Sequence, residues 1–323
     1  MQPGAALLAP LAGLALLLFL LRARRKPRWG PRACPVDLRG KTALVTGANS
    51  GIGKCVALDL AGRNARTILA CRDRERGQAA LDEIRRASGN PDVHLRLLDL
   101  SSMASVRDFA RQFLKEERQL HILVNNAGIT GLPVTPTAQD QQLMFATNVL
   151  GPFLLTNLLL DTLKASAPAR IVNVSSFVHC KGMVNVQFLT GEASPRTCSQ
   201  AYNSSKLMNV VFTIELARRL QGTGVTVNCL NPGVVKTSIM SRFHWTVRLL
   251  YSLCSPFIKS AEEGAVSTLY CAVSREVEGI TGKYFDSDCS LVLPSDSAQD
   301  PGIAHKLWDA LEQLTGLGNS RTK

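Results

Sequence analysis

Thr42-Ala43-Leu44-Val45-Thr46-Gly47-Ala48-Asn49-Ser50-Gly51-Ile52-Gly53 is the stretch on which the reading of this chain turns. Its first five residues are uncharged and rich in apolar and β-branched side chains, which predicts a buried strand. Its glycines then fall as G-x-x-x-G-x-G, and a helical pattern sets in from about Gly51. Glycine lets a backbone turn tightly and approach a phosphate, while a helix N-terminus offers N–H groups and a positive dipole. The spacing differs from G-x-G-x-x-G, but the physics is shared. A loop of this kind between a buried strand and a helix predicts a dinucleotide cradle built from Gly47, Asn49, Ser50, Gly51, Ile52 and Gly53, with Lys54 adding charge beside it.

The same alternation continues along the chain. Short apolar runs at Thr67–Ala70, Val93–Leu98, Ile122–Val124, Arg170–Val174 and Val225–Leu230 read as strands. Helical patterns at Arg74–Ala87, Met103–Lys115, Gln139–Lys164 and Ala201–Leu220 separate them. Near-continuous apolar strands between helices predict an α/β fold, a doubly wound parallel sheet covered on both faces. No internal repeat or Pro/Gly-rich linker follows Gly40, so a single domain is expected over residues 38–315, with a flexible tail at 316–323.

The chain has 323 residues, 46% of them apolar, and a formal net charge of +12. Half of that excess is Arg22, Arg24, Arg25, Lys26, Arg28 and Arg32, with no acid before Asp37. The cluster follows an uncharged run, Ala5–Leu21, which as a helix would reach about 26 Å at about 1.5 Å per residue. That length approaches the roughly 27 Å core of the endoplasmic reticulum bilayer. A cleaved signal peptide carries its charge before the apolar run, and here the charge follows it. Residues 1–21 therefore read as a membrane anchor and 22–37 as a basic linker attracted to anionic lipid, with no call for a nucleic-acid partner. The positive-inside rule puts the domain in the cytosol, at the endoplasmic reticulum or alternatively at a mitochondrial membrane. Nine widely spaced cysteines without Cys-x-x-Cys argue for reduced thiols and against a disulfide framework or a metal site.

Residues at the strand ends carry the chemistry. An acid at the end of the second strand usually accepts a ribose 2′-hydroxyl; this chain has Ala70-Cys71-Arg72. The Arg72 guanidinium suits a 2′-phosphate, which favours NADP(H) over NAD(H). Asp99 and Leu100 follow the third strand, where the adenine would lie, and Asn125-Asn126-Ala127-Gly128 follow the fourth. Ser175-Ser176 ends the fifth strand, where open α/β sheets carry their sites. Tyr202 and Lys206, four apart, share one face of a helix.

Taken in order, TGANSGIG, NNAG, the Asn148 position, IVNVSS, YNSSK and NPGVVKT resemble the short-chain dehydrogenase/reductase family over roughly Leu38–Phe285. The resemblance implies a Rossmann-like sheet and a set of roles. Tyr202 would be the general acid/base, and Lys206 would lower its pKa and hold the nicotinamide ribose. Ser176 would hydrogen-bond the substrate oxygen, Asn148 would hold a water that relays protons to Lys206, and Pro232, Gly233 and Thr237 would contact the nicotinamide. GANSGIGK, ILACRDRERG, LHILVNNAG, SAPARIVNVSS, LARRLQGTGVTV, SPFIKSAEEGA and GKYF are similar to the membrane-bound, NADP(H)-dependent retinol dehydrogenases. This likeness implies a lipophilic, retinoid-like substrate and, in a cytosol whose NADP pool is mostly reduced, net reduction of the carbonyl. Homodimers through the long helices are a habit of the family.

Two departures from that group, Asn148-Val149-Leu150-Gly151-Pro152-Phe153 and Asn231-Pro232-Gly233, lie around the substrate cleft, and the Phe177–Gln200 loop is individual. They keep a reductase of steroids or lipid-derived aldehydes open, while a catalytically idle NADP-binding protein would not need the intact set of Asn148, Ser176, Tyr202 and Lys206. After Thr237, a run with Ile239, Met240, Phe243, Trp245 and Tyr251 reads either as a lid over a greasy ligand or as a helix packed on the core.

Overall fold

Strand β1 (Thr42–Thr46) is buried along its whole length. The computed structural model describes residues 29–131, 143–236 and 258–318. In chain order the remaining strands are β2 (Arg66–Cys71), β3 (Val93–Leu97), β4 (Ile122–Asn125), β5 (Ala169–Val174), β6 (Val225–Leu230), β7 (Tyr284–Phe285) and β8 (Leu291–Val292). They form one sheet in the order β3-β2-β1-β4-β5-β6-β7-β8, parallel except for the last pair. Leu44 of β1 lies in register with Ile68 on one side and Leu123 on the other, so the sheet's centre is aliphatic. The strand order reverses beside β1, and a crevice opens there at the strands' carboxyl ends.

Side chains alternate across the sheet because strand periodicity is two. Leu44, Leu123 and Ile171 face a layer made of α3 (Met103–Glu116), α4 (Gly151–Leu158), α5 (Leu160–Ala165), α6 (Cys198–Arg219) and α8 (Pro301–Thr315). Val45, Val124 and Val172 face α1 (Gly51–Gly62), α2 (Arg74–Ser88) and α7 (Ala261–Val273). This is the Rossmann-like, doubly wound parallel arrangement expected. In the first layer, Phe153 stacks edge-on against both Phe212 and Trp308, at 5.3 and 5.0 Å between ring centres.

The expected helix at Gln139–Lys164 needs correction. Residues 139–142 lie outside the described ones, and the rest is not one regular helix. A turn at Leu143–Phe145 leads into a π turn, Ala146–Leu150, before α4, and Leu159 separates α4 from α5. Gly151 follows the π turn: a Cβ there would sit 2.2 Å from the Leu100 carbonyl, so the backbone passes unusually close to the segment after β3. π turns inside helices often mark functional positions, and this one carries Asn148.

Elements beyond β6 escaped the sequence reading. α7 opens with a capping box, Ser260 and Glu263 bonding each other's backbone N–H. α8 opens on Asp300 with Pro301 in its first turn and ends at Gly316, φ +67°. The basic linker is partly docked: Arg63 donates to the carbonyls of Pro31, Cys34 and Val36, and Trp29 meets Tyr270 edge-on at 5.5 Å. No helix among the described residues is long and apolar enough to cross a membrane. The anchor expected over residues 1–21 lies outside them, as do Thr237 and the apolar run that follows it.

Candidate active site

Thr46 ends β1 and organises the crevice from beneath. Its hydroxyl accepts the backbone N–H of both Asn126 and Ala127 at 3.0 Å, and the Asn126 amide donates to the Thr46 carbonyl at 2.9 Å. The end of β1 and the end of β4 are thereby joined. Gly47 follows at φ +66° and Gly51 at φ +54°, both in the left-handed region that glycine tolerates. A Cβ at Gly53 would lie 2.4 Å from the Asn126 amide nitrogen and 2.5 Å from the Gly47 carbonyl. Only glycine lets α1 start this close to the loop. Ser50 stands at the N-cap of α1 but makes no side-chain capping bond, so the leading N–H groups of the helix face the cleft.

The cleft has a volume of about 650 Å³ and runs from β2 to β6 across the strand ends. Gly47, Asn49, Ser50, Gly51 and Ile52 line its middle. Arg72, Asp99 and Leu100 line one end; Asn126, Ala127 and Gly128 form its floor; Pro232 and Gly233 close the other side with Ser176, Tyr202 and Lys206. Two expected contacts fall elsewhere. The Lys54 ammonium points to α2, where Glu83 takes it at 2.8 Å. Gly53 is packed against the Asn126 amide behind the loop.

The first turns of α6 carry Tyr202 and Lys206, and several hydroxyls fix them. Ser175 donates to the Lys206 carbonyl at 2.8 Å, pinning α6 to the end of β5. Ser205 donates to the Tyr202 carbonyl at 2.8 Å and accepts from the Asn148 amide at 3.0 Å. The same amide closes on Ile129, donating to its carbonyl and accepting its N–H. Asn148 thus stands behind the cleft wall and ties the β4 loop to α6. A Cβ at Gly128 would come 3.4 Å from Lys206 Nζ and 3.5 Å from Asn148 Oδ1, so both polar ends face one small space that glycine keeps open.

Burial dominates the electrostatics. Lys206 is 4% exposed, its ammonium donates to the Val174 carbonyl at 2.9 Å, and desolvation pushes its pKa down to about 8. The same effect pushes Tyr202 up to about 12, opposed by a hydrogen bond with the Ser176 side chain. Lys206 Nζ lies 5.6 Å from the centre of the Tyr202 ring. A phenol, a buried ammonium and a serine hydroxyl converging at one end of the cleft can donate and recover a proton at a substrate oxygen.

Sequence reading missed four contributors. Thr46 and Ser205 sat inside quoted motifs without a role. The Cys71 thiol lies against the backbone N–H groups of Ala48 and Asn49, and burial pushes it up to about 11. Arg76 lines the cleft beside Arg72, and its place four residues on, in the first turn of α2, was the available signal. Among the described residues, no cluster of His, Cys, Asp or Glu is arranged to hold a metal ion.

A doubly wound sheet with a glycine loop at its switch point, and a Tyr-Lys pair at the end of β5, defines a nicotinamide-dependent oxidoreductase. The short chain dehydrogenase family model matches residues 41–246, and the chain belongs to that family. It is 47% identical to mouse retinol dehydrogenase 12 over 283 residues, covering 87% of this chain and 88% of that one. It is 45% identical to human retinol dehydrogenase 11 over 309 residues, 94% and 96% of the two chains. Among solved structures, an uncharacterized protein from Mycobacterium paratuberculosis superposes with a TM-score of 0.73 at 32% identity, covering 89% of this chain and 97% of that one. A short chain dehydrogenase of Shigella flexneri complexed with NADP gives 0.63 at 26%, covering 77% and 98%.

Proposed function

We propose that this protein reduces a lipophilic aldehyde or ketone, retinal foremost, with NADPH. The observation that carries the reading is the convergence of Ser176, Tyr202 and Lys206 at one end of a cleft whose middle is the glycine loop. The cradle fits the cofactor: α1 offers uncapped N–H groups, Gly53 lets α1 start tight against the loop, and Gly128 leaves room in the cleft floor that a side chain would take. When bound, the nicotinamide supplies the hydride. Tyr202, protonated at neutral pH, gives its proton to the substrate oxygen. The Lys206 cation stabilises the phenolate left behind and holds the nicotinamide ribose, and Ser176 stabilises charge on the oxygen. Lys206 then returns a proton to the Tyr202 phenolate and is itself reprotonated from solvent through the space beside Gly128 that it flanks with Asn148.

Arg72 and Arg76 support NADP(H). Both line the adenosine end, and among the described residues neither is in a salt bridge. The acid between them, Asp73, accepts the Arg76 N–H as the cap of α2 through one carboxylate oxygen. The retinol dehydrogenase relatives support the retinoid class, and the apolar run at residues 5–21 with its basic flank supports attachment to the endoplasmic reticulum membrane with the domain in the cytosol.

The test follows NADPH oxidation by the detergent-solubilised protein with all-trans-retinal. Turnover that Tyr202→Phe abolishes is expected. Turnover with decanal or a steroid ketone but not retinal would move the substrate to that class, and no turnover with any of them would leave a cofactor-binding protein without this activity. Arg72→Ala with Arg76→Ala should weaken NADPH binding and leave NADH binding unchanged.

A further inference from the structure

We propose that His179 is a positioning residue for Ser176, held as the neutral Nδ1–H tautomer between the Ser176 carbonyl and the backbone of Ser295. The inference rests on the role given to Ser176 above and adds a residue that touches neither substrate nor cofactor. Ser176 leaves β5 and enters the short helical turn Phe177–Lys181. Its carbonyl receives two bonds from one residue: the His179 backbone N–H at 3.1 Å and the imidazole Nδ1 at 2.9 Å. On the far side of the ring, Nε2 meets the Ser295 N–H at 3.3 Å.

These partners fix the tautomer. A carbonyl can only accept, so Nδ1 carries the proton; an amide N–H can only donate, so Nε2 carries the lone pair. The ring is 5% exposed and packs on Tyr284 of β7, with centres 4.6 Å apart. It is thus clamped on both edges and one face, in a space where burial disfavours a second proton. The turn it braces is itself locked on α6. The Met183 N–H donates to Ser204 Oγ at 3.2 Å, and a Cβ at Gly182 would lie 2.4 Å from the Asn203 carbonyl. His179 therefore sets the height of Ser176 against Tyr202 and wires that position to the C-terminal segment around Ser295. A serine that must meet charge as it develops tolerates little displacement.

Two half-replacements separate the arms. His179→Asn places an amide near Nδ1 and keeps the bond to Ser176; His179→Gln places its carbonyl near Nε2 and keeps the bond to Ser295. With NADPH and whichever of all-trans-retinal or decanal is turned over, kcat should stay near wild type in His179→Asn. It should fall about ten- to a hundredfold in His179→Gln, with NADPH affinity unchanged in both. Nitrogen-15 NMR of the wild-type ring should show Nδ1 protonated and Nε2 bare. Equal kcat in the two variants per folded molecule, losses that merely follow melting temperature, or an Nε2–H tautomer would overturn the proposal. Ser176→Ala is the separate control: if it keeps full kcat, or if neither carbonyl is turned over, the catalytic reading fails first and the inference falls with it.

Discussion

The ammonium of Lys206 donates to the main-chain carbonyl of Val174 at 2.9 Å, which ties α6 to the last residue of β5. The bond gives a buried cation one acceptor in a place where desolvation has already moved its pKa to about 8. Activity and stability therefore share one group, and both should titrate with it.

For carbonyl reduction, Tyr202 stays protonated across the accessible range because burial holds it near 12. The group that changes is Lys206. The reductive kcat should be flat below pH 8 and fall above it as Lys206 loses its charge, whereas alcohol oxidation, which needs the phenolate, should rise with pH. A reductive profile that stays level to pH 10 in steady-state assays would refute this assignment.

The sign for stability is the reverse of the usual salt-bridged lysine. A folded-state pKa depressed from 10.5 to about 8 makes the protonated lysine a penalty that is fully present below pH 8 and relieved as pH rises toward 10.5. Lys206→Met should remove the buried charge and stabilise the fold at pH 7 by roughly 1–3 kcal/mol while abolishing turnover. Urea unfolding at pH 7 and pH 10 checks both parts, since the gain should shrink at the higher pH.

Gly53→Ala forces a methyl group to within 2.4 Å of the Asn126 amide and 2.5 Å of a backbone carbonyl that cannot step aside. The expected cost is about 1–3 kcal/mol of stability. Displacement of the loop should also weaken nucleotide binding about tenfold or more, as read by quenching of protein fluorescence with NADPH.

Thr46→Val keeps the shape of the side chain and deletes the oxygen that accepts two N–H groups. Two half-buried donors lose their partner, which should cost about 1–3 kcal/mol and loosen the floor of the cleft. Calorimetric melting together with NADPH titration would reveal a variant that is less stable and binds more weakly; an unchanged melting temperature would show that Thr46 is not the organiser of this loop.

Much of this protein was legible without coordinates, because local chemistry carried it. Uninterrupted apolar strands specified a covered parallel sheet, glycine spacing after β1 specified a tight turn into α1, and the four-residue spacing of Tyr202 and Lys206 put them on one helical face. What remained depended on approach between segments distant in sequence, which no local pattern encodes. Lys54 had the right charge in the right loop, yet Glu83 of α2 captured it. The regular helix expected around Asn148 is instead a π turn, followed at once by Gly151 passing against the Leu100 carbonyl. Thr46 and His179 gained their roles only when strand ends 78 or more residues from the one, and a C-terminal segment 116 residues from the other, were folded onto them. Sequence by itself determined the sheet and the glycine turn after β1, which follow from residue type and short spacing, and the ordered motifs pointed to the family. Tertiary structure alone decided which hydrogen bonds hold them in place, because a hydrogen bond needs its two partners within about 3 Å and chain order does not set that distance.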